Sequence, residues 1–500
     1  MAREIELKLA LPASARRAFL RHPVLKEAAA VLPTQRLVNI YFDTPDLELR
    51  DKRMALRLRK IGKVWLQTVK CAGVVSGGLA SRPEWEQPYD GHAFDFSAVD
   101  IPDVQKRLEK AQYEGRLVPV FETNFLRRTW CFEPAPGSRL LLVLDEGMIE
   151  AAGRQLPISE LEIEISEGDT GPLFELARRL AERLPLRPDD RSKAERGYRL
   201  FTGAVLAPRH ASPSPLKTTD TPLSAFCQIA FACLAHLQGN EEGVLESEEA
   251  EFVHQMRVAL RRLRSALRIF GPALPAEFVQ HFSAPLRDLA SALGAARDWD
   301  VALDEILAPV QRACPGDPRL KALAEAAGPA HTHARSAARE AVAAPEYGRL
   351  LLELVSALHH PGLADDAPAV ADLAAFAKKR LRQIKTRVAK RAEVAASLAP
   401  QPLHALRITC KRLRYAREFF APLDTGKRGK HAIAALTELQ TVLGRLNDLS
   451  NAAGLFAQLA NGDLALHEAM ALVEGWQRSE LAPLMAELPA RLTALKSDGK

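Results

Sequence analysis

Between residues 3 and 9 charged and apolar side chains alternate. Arg3-Glu4-Ile5-Glu6-Leu7-Lys8-Leu9 puts Glu4, Glu6 and Lys8 on one face and Ile5, Leu7 and Leu9 on the other, which is the period of a β-strand. The same alternation returns over 55–60, where Arg57 and Arg59 oppose Leu56 and Leu58, and over 160–165, where Glu160, Glu162 and Glu164 oppose Leu161, Ile163 and Ile165. Residues 37–44, 64–70, 121–132 and 140–145 also read as strands, and 82–86 alternates Arg, Glu and Glu with Pro and Trp. Turns fall at Thr44-Pro45-Asp46, Gly62, Gly77-Gly78 and 134–138. Helices are expected at 14–31, with Ser14 as N-cap and Pro33 as stop, at 103–112 and at 172–184. Residues 191–193 read as a polar segment. An exposed, salt-bridged sheet face would give such alternation too. Here several strands carry dense acid and dense base, and an antiparallel barrel with a charged lumen accommodates both.

From about residue 220 the pattern becomes helical and repeats itself. His254-x-x-Arg257-x-x-x-Arg261-Arg262-x-Arg264 returns as His404-x-x-Arg407-x-x-x-Lys411-Arg412-x-Arg414. Leu293-Gly294 and Asp298 return as Leu443-Gly444 and Asp448, and Phe226 as Phe376, always 150 positions on. The histidine and the basic residues of each copy step by three and four, so they share one helix face, and Glu418 ends the second stripe. Two equivalent helical bundles are expected. The boundaries read as 1–203 for the strand-rich domain, 204–218 for a Pro/Ser/Ala-rich linker, 219–490 for the helical domain with repeats at 219–368 and 369–490, and 491–500 for a tail.

Composition changes this picture little. The chain has 500 residues, 47% hydrophobic and 26% charged, with a net charge of +6, so local clusters of base matter more than the total. Six cysteines include no CxxC pair and suggest a reducing compartment. No run approaches the roughly 20 apolar residues of a membrane span, and the charged strand at the start leaves no signal-peptide core, so a cytoplasmic protein is expected.

The candidate chemistry is phosphate chemistry. Two carboxylates beside an ammonium at Glu4, Glu6 and Lys8 suit a divalent cation bound to an anionic phosphate, and arginine pairs suit phosphate oxygens. No Ser/His/Asp set, Cys/His set or Walker-type loop accompanies them. In order, Glu4-x-Glu6-x-Lys8, Tyr41-Phe42-Asp43-Thr44, Leu56-Arg57-Leu58-Arg59, Thr68-x-Lys70, Arg82-x-Glu84-x-Glu86, Arg127-x-x-Trp130, Asp145-x-Gly147, Glu160-x-Glu162-x-Glu164 and Ser192-Lys193 resemble the CYTH superfamily, the triphosphate tunnel metalloenzymes. The resemblance covers roughly residues 1–203. It implies an eight-stranded antiparallel barrel with flanking helices, whose tunnel binds a triphosphate with Mg²⁺ or Mn²⁺. By position, Glu4, Glu6, Asp145, Glu162 and Glu164 would line the metal side, with Glu4 and Glu6 as the catalytic candidates. Lys8, Arg57, Arg59, Lys70, Arg127 and Lys193 would hold phosphates, Arg127 being preferred to Arg128 by its spacing to Trp130, and Glu84 and Glu86 would be further tunnel acids.

The paired basic helices resemble a second family, the CHAD domain, over roughly 219–490. That resemblance implies two pseudo-symmetric four-helix bundles that bind inorganic polyphosphate through His254, Arg257, Arg261, Arg264, His404, Arg407, Lys411 and Arg414. No Cys, His or Asp at metal-ligand spacing accompanies either histidine. Lys411 for Arg261 keeps the charge without the guanidinium fork, and Asn447 stands for Arg297. Together the halves imply hydrolysis of inorganic triphosphate to diphosphate and phosphate beside a polyphosphate-binding module, in the cytoplasm or on polyphosphate granules. An organic triphosphate (thiamine triphosphate, or ATP by cyclisation) and a non-catalytic polyphosphate scaffold are the alternatives. Nucleic acid is disfavoured, because aromatic content is 6% and none interleaves the stripes.

Overall fold

Eleven strands run through the N-terminal part: β1 (Ala2–Ala10), β2 (Ala30–Val31), β3 (Gln35–Asp43), β4 (Ala55–Ile61), β5 (Val64–Lys70), β6 (Val74–Ser76), β7 (Leu79–Pro88), β8 (Val118–Ala135), β9 (Ser138–Ala151), β10 (Arg154–Glu167) and β11 (Arg187–Pro188). Eight close into an antiparallel ring in the order β1-β10-β9-β8-β3-β4-β5-β7, with β7 returning to β1. The short β2, β6 and β11 pair with β8, β7 and β1 respectively. This computed structural model describes residues 2–213, 215–360, 362–368, 372–423, 427–460 and 463–497. Residues 498–500 of the expected tail, and 369–371 at the start of the expected second repeat, lie outside them.

The alternation decides which way each side chain faces. Lys8 stands opposite Glu162, Glu6 opposite Glu164, Glu4 opposite Arg82, and Lys70 opposite Glu84. These residues line the lumen, while Leu7, Leu9, Leu56, Val69, Leu142, Leu144, Leu161 and Ile163 point outward and are buried. Helix Gly171–Ala181 packs on β10 with Leu173, Phe174, Ala177 and Leu180 buried. Helix Pro102–Tyr113 brings Leu108 to a cluster with Leu49, Met54, Leu56, Val69, Trp85, Phe96 and Val99. Inside the ring, Leu37, Tyr41, Phe121, Phe125, Ile149 and Ile158 pack with Tyr198 of helix Lys193–Thr202 into an apolar plug.

The helix expected at 14–31 does not form. A four-residue turn, Arg16–Phe19, is followed by a 3-10 turn at Pro23–Glu27 and by β2. Pro23 disfavours helical backbone at His22, and the His22 side chain instead accepts from the Val24 N–H to start the second turn.

The chain divides into two compact units, 1–207 with 344–360 and 208–343 with 361–500. Helix Pro345–His359, which the sequence division leaves with the helical half, therefore folds with the barrel, against helix Gly171–Ala181 and β11.

The second unit holds helices Pro222–Gln238, Ala250–Phe270, Ala276–Asp300 and Pro318–Ala343, then Leu373–Ala395, Pro400–Phe420, Lys427–Ala460 and Leu464–Ser497. The first four correspond to the last four, and Ala250–Phe270 matches Pro400–Phe420 at the 150-residue offset end to end. Phe270 sits 5.4 Å from Phe420 and 5.5 Å from Phe376 between ring centroids, so aromatic residues related by the repeat meet between the two copies. The Pro/Ser/Ala-rich segment is bonded to this unit: Arg209 N donates to Asn240 Oδ1, and Asn240 Nδ2 donates back to Arg209 O.

Candidate active site and anion site

Period two on β4 places Arg57 and Arg59 side by side in the lumen. Arg57 Nη2 lies 3.4 Å from Glu84 Oε1. Arg59 Nε donates to Asn39 Oδ1 at 2.9 Å, and its Nη1 lies 3.6 Å from Glu86 Oε2. On β8, Arg127 stands opposite Asp145 and grips it with two hydrogen bonds of 2.8 and 2.7 Å, and Nη2 also donates to Glu162 at 2.9 Å. Arg128 lies on the other face of the strand. Lys193, at the start of helix Lys193–Thr202, puts Nζ 2.6 Å from Asp145 and 2.9 Å from Glu162, and also meets Glu160. Lys70 joins Glu4 at 2.6 Å and Glu84 at 3.1 Å. Lys8 Nζ donates to the Arg191 carbonyl at 2.9 Å.

Positive charge is crowded here. Burial, with Arg57 and Arg127 as neighbours, lowers Arg59 to about 10, and Arg57 Nε is buried without a hydrogen-bond partner. A buried guanidinium with an unused donor and like-charged neighbours is stabilised by an anion.

The acids fall into two groups. Asp145, Glu160 and Glu162 lie within 4.8 Å of one another, close enough to hold a cation, but Lys193 and Arg127 already sit among them. Glu6 pairs with Arg82 at 2.8 Å and Glu4 with Lys70. Glu164 makes no ion pair among the described residues. Burial, and then the nearby Glu4 and Glu6, push its carboxyl up to about 7. Hard carboxylate oxygens that lack a cation fit a divalent ion; Glu164 meets that condition among the described residues, whereas Glu4 and Glu6 beside it each hold one base and the Asp145 group is held by Lys193 and Arg127.

All thirteen lumen residues named in the sequence reading, Glu84 and Glu86 included, line this one space or reach into it. Arg82 and Glu160 join them without having been assigned a role. Both carry the signal, since each occupies the lumen phase of an alternation that was read. Arg196 on helix Lys193–Thr202 also pairs with Glu160; nothing in a polar helix face marks it in advance.

In the second unit the two basic stripes lie on helices Ala250–Phe270 and Pro400–Phe420, which pack together. Arg257 lies 3.7 Å from Asp298 and Arg407 3.6 Å from Asp448, the same pair in each repeat. Arg257 Nη1 and Arg407 Nε are buried without hydrogen-bond partners among the described residues. Arg261 Nε donates to the Tyr415 hydroxyl at 2.6 Å. Burial, Arg261 and Arg407 lower Lys411 to about 6, and burial, then the charge of Arg297, lowers His254 to about 4. Arg257, Arg261, Arg407 and Lys411 therefore share one field, and Arg297, unassigned from sequence, adds to it. His404 instead bonds Asn447 Oδ1 through Nδ1 at 2.7 Å. Arg264 lies in the field of Arg268 on its own helix and of Arg287 on helix Ala276–Asp300. Arg414 packs over Tyr415 at 5.1 Å, and its Nε lies 3.5 Å from Glu418. Glu418 also holds Arg262 at 2.6 Å, which accounts for the acid that ends the second stripe.

The fold and lumen define a closed antiparallel barrel lined by acids and bases, joined to a duplicated helical domain with a basic centre. Residues 2–198 match the CYTH domain family and residues 228–457 the CHAD domain family. The chain is thus a CYTH domain followed by a CHAD domain. It is 32% identical over 213 residues to the inorganic triphosphatase of Haemophilus influenzae, across 40% of this chain and 55% of that one, so the match spans little more than half of that relative. An uncharacterised protein of Mycobacterium tuberculosis is 26% identical over 448 residues, 83% of this chain and 80% of its own. The crystal structure of the CHAD domain from the plant Ricinus communis superposes with a TM-score of 0.50 at 33% identity, covering 58% of this chain and 96% of that one. No helix among the described residues is long and apolar enough to cross a membrane.

Proposed function

We propose that the barrel hydrolyses inorganic triphosphate to diphosphate and phosphate with Mg²⁺ or Mn²⁺, and that the helical unit binds inorganic polyphosphate. The observation that carries the first part is a single lumen in which crowded arginines face an unpaired carboxylate. Arg57, Arg59 and Arg127 offer forked donors to phosphate oxygens, and Lys8, Lys70 and Lys193 add point charges. A bound polyanion would offset the burial, and the repulsion from Arg57 and Arg127, that lower Arg59. Glu4, Glu6 and Glu164 would hold a divalent ion, which when bound supplies Lewis-acid polarisation of phosphate oxygens and a more acidic water. As water attacks the terminal phosphorus in line, the bond to the bridging oxygen breaks, and the guanidinium groups take up charge on the leaving diphosphate. The buried plug at Phe121, Phe125 and Tyr198 limits water in the lumen.

The reading of the helical unit rests on the two orphaned guanidinium atoms of Arg257 and Arg407 beside Arg261 and Lys411. Such binding would bring the protein to polyphosphate granules in the cytoplasm.

Phosphate release from inorganic triphosphate, ATP and thiamine triphosphate, with Mg²⁺, with Mn²⁺ and with chelator, tests the assignment. Release from inorganic triphosphate that chelator abolishes, at least about tenfold faster than from either organic substrate, is expected. Equal or faster release from thiamine triphosphate or ATP would replace the substrate. No release from any would leave a polyphosphate-binding scaffold.

A further inference from the structure

Helix Pro345–His359 has residues of the helical unit on both sides of it in sequence, yet it folds with the barrel. Besides helix Gly171–Ala181, it lies against two further segments. At Gly348 it approaches the chain leading into β11 so closely that a Cβ would meet Leu186 O at 1.8 Å. At Val355 it meets the β6–β7 turn, where a Cβ on Gly77 would meet Val355 Cγ2 at 2.1 Å. Tyr347, Leu351, Leu352 and Val355 are all buried.

Both segments lead to Lys8. In the turn, Gly78 O accepts from Lys8 N at 2.9 Å, and a Cβ on Gly78 would meet Lys8 O at 2.7 Å. After β11, Asp189 N donates to Lys8 O at 3.0 Å and Arg191 O accepts from Lys8 Nζ at 2.9 Å. The two are joined, since Gly78 N donates to Asp190 Oδ1 at 2.6 Å. Two residues after Arg191 comes Lys193. The backbone and the ammonium of Lys8 are thus held by two loops, and one helix packs behind both.

We propose that helix Pro345–His359 is a positioning element of the lumen site, setting Lys8 and the approach to Lys193 through Gly348 and Val355. The proposal rests on the triphosphate reading above. The helix acts through the turn and β11. Because it is tethered on both sides to the helical unit, the phosphate site of the barrel is completed by a stretch of chain encoded within the other half.

The test uses the full chain in an Arg257→Glu/Arg407→Glu background, so that the helical unit contributes little phosphate binding. Titration calorimetry gives the Kd of inorganic triphosphate without divalent ion, and hydrolysis with Mg²⁺ gives kcat and KM. Gly348→Ala is expected to raise Kd and KM about tenfold with kcat changed less than about threefold, since displacing a positioned group by an ångström is costly. Val355→Ala, a smaller disturbance, is expected to give an intermediate rise and serves if Gly348→Ala does not fold. In a Lys8→Met protein either substitution should change Kd by less than about twofold, because the pathway ends at Lys8. Unchanged Kd in both variants, or the full loss again in the Lys8→Met protein, overturns the proposal. Absence of triphosphate binding and hydrolysis in the parent chain would overturn the triphosphate reading instead.

Discussion

Lys193 carries the charge balance of the lumen. Its ammonium sits among Asp145, Glu160 and Glu162, and its side chain is 9% exposed. Lys193→Met would leave three buried carboxylates short of a cation, a change that costs about 3–5 kcal/mol. Chemical denaturation should show that loss, and a cost under about 1 kcal/mol would mean that Arg127 and Arg196 suffice. In the second unit Lys411 makes a pH prediction. Its pKa is lowered to about 6 without ligand, and a bound polyanion raises it again. Binding therefore takes up a proton, so affinity is greatest near pH 6 and falls as pH rises. Titrations from pH 6 to 9 in buffers of differing ionisation enthalpy check this, and a flat profile would place the anion away from Lys411. At this scale much was legible. Period two makes Arg127 and Arg128 mutually exclusive in the lumen, and pairing with Asp145 selects Arg127. The ion-pair partners were not legible, because they depend on registers between strands far apart in sequence. Glu6 is an example: its alternation marks it as a lumen acid, but only the β1–β7 pairing reveals Arg82 beside it.

At the level of elements, strands with one charged and one apolar face were readable because burying the apolar face fixes their orientation. The 14–31 segment was misread because alanine and leucine content outweighed Pro23. Two-residue strands such as Arg187–Pro188 have no period to detect. The basic stripes were readable as helix faces, and the contact between them predicts shared function. Substituting Arg257 and Arg407 together by Glu should weaken polyphosphate binding by at least about tenfold and reduce its salt dependence. Triphosphate hydrolysis should stay within about twofold. Unchanged polyphosphate affinity would move the ligand off the paired helices. Gly294 adds a detail: a Cβ there would lie 2.8 Å from Arg257 Nη1, whereas Gly444 has open space around it. Gly294→Ala should therefore reduce polyphosphate affinity more than Gly444→Ala, and equal effects in binding titrations would contradict this.

For the whole molecule, the 150-residue repeat and the change from period two to helical period announced two architectures, a barrel and a duplicated helical domain. What stayed hidden is that helix Pro345–His359 belongs with the barrel. Its apolar face, with Leu351, Leu354 and Val355 buried, states that it packs on something, and nothing in its pattern states on what. If the lumen is a metal-assisted triphosphatase site, Glu164 allows the cleanest test of it. Among the described residues Glu164 has no ion-pair partner to orphan, so Glu164→Gln should keep the melting temperature within about 3 °C. We expect it to lower turnover of inorganic triphosphate by about 100-fold or more in Mg²⁺ and Mn²⁺. Turnover near that of the parent protein, with the fold intact, would contradict the assignment of this carboxylate and of the site built around it.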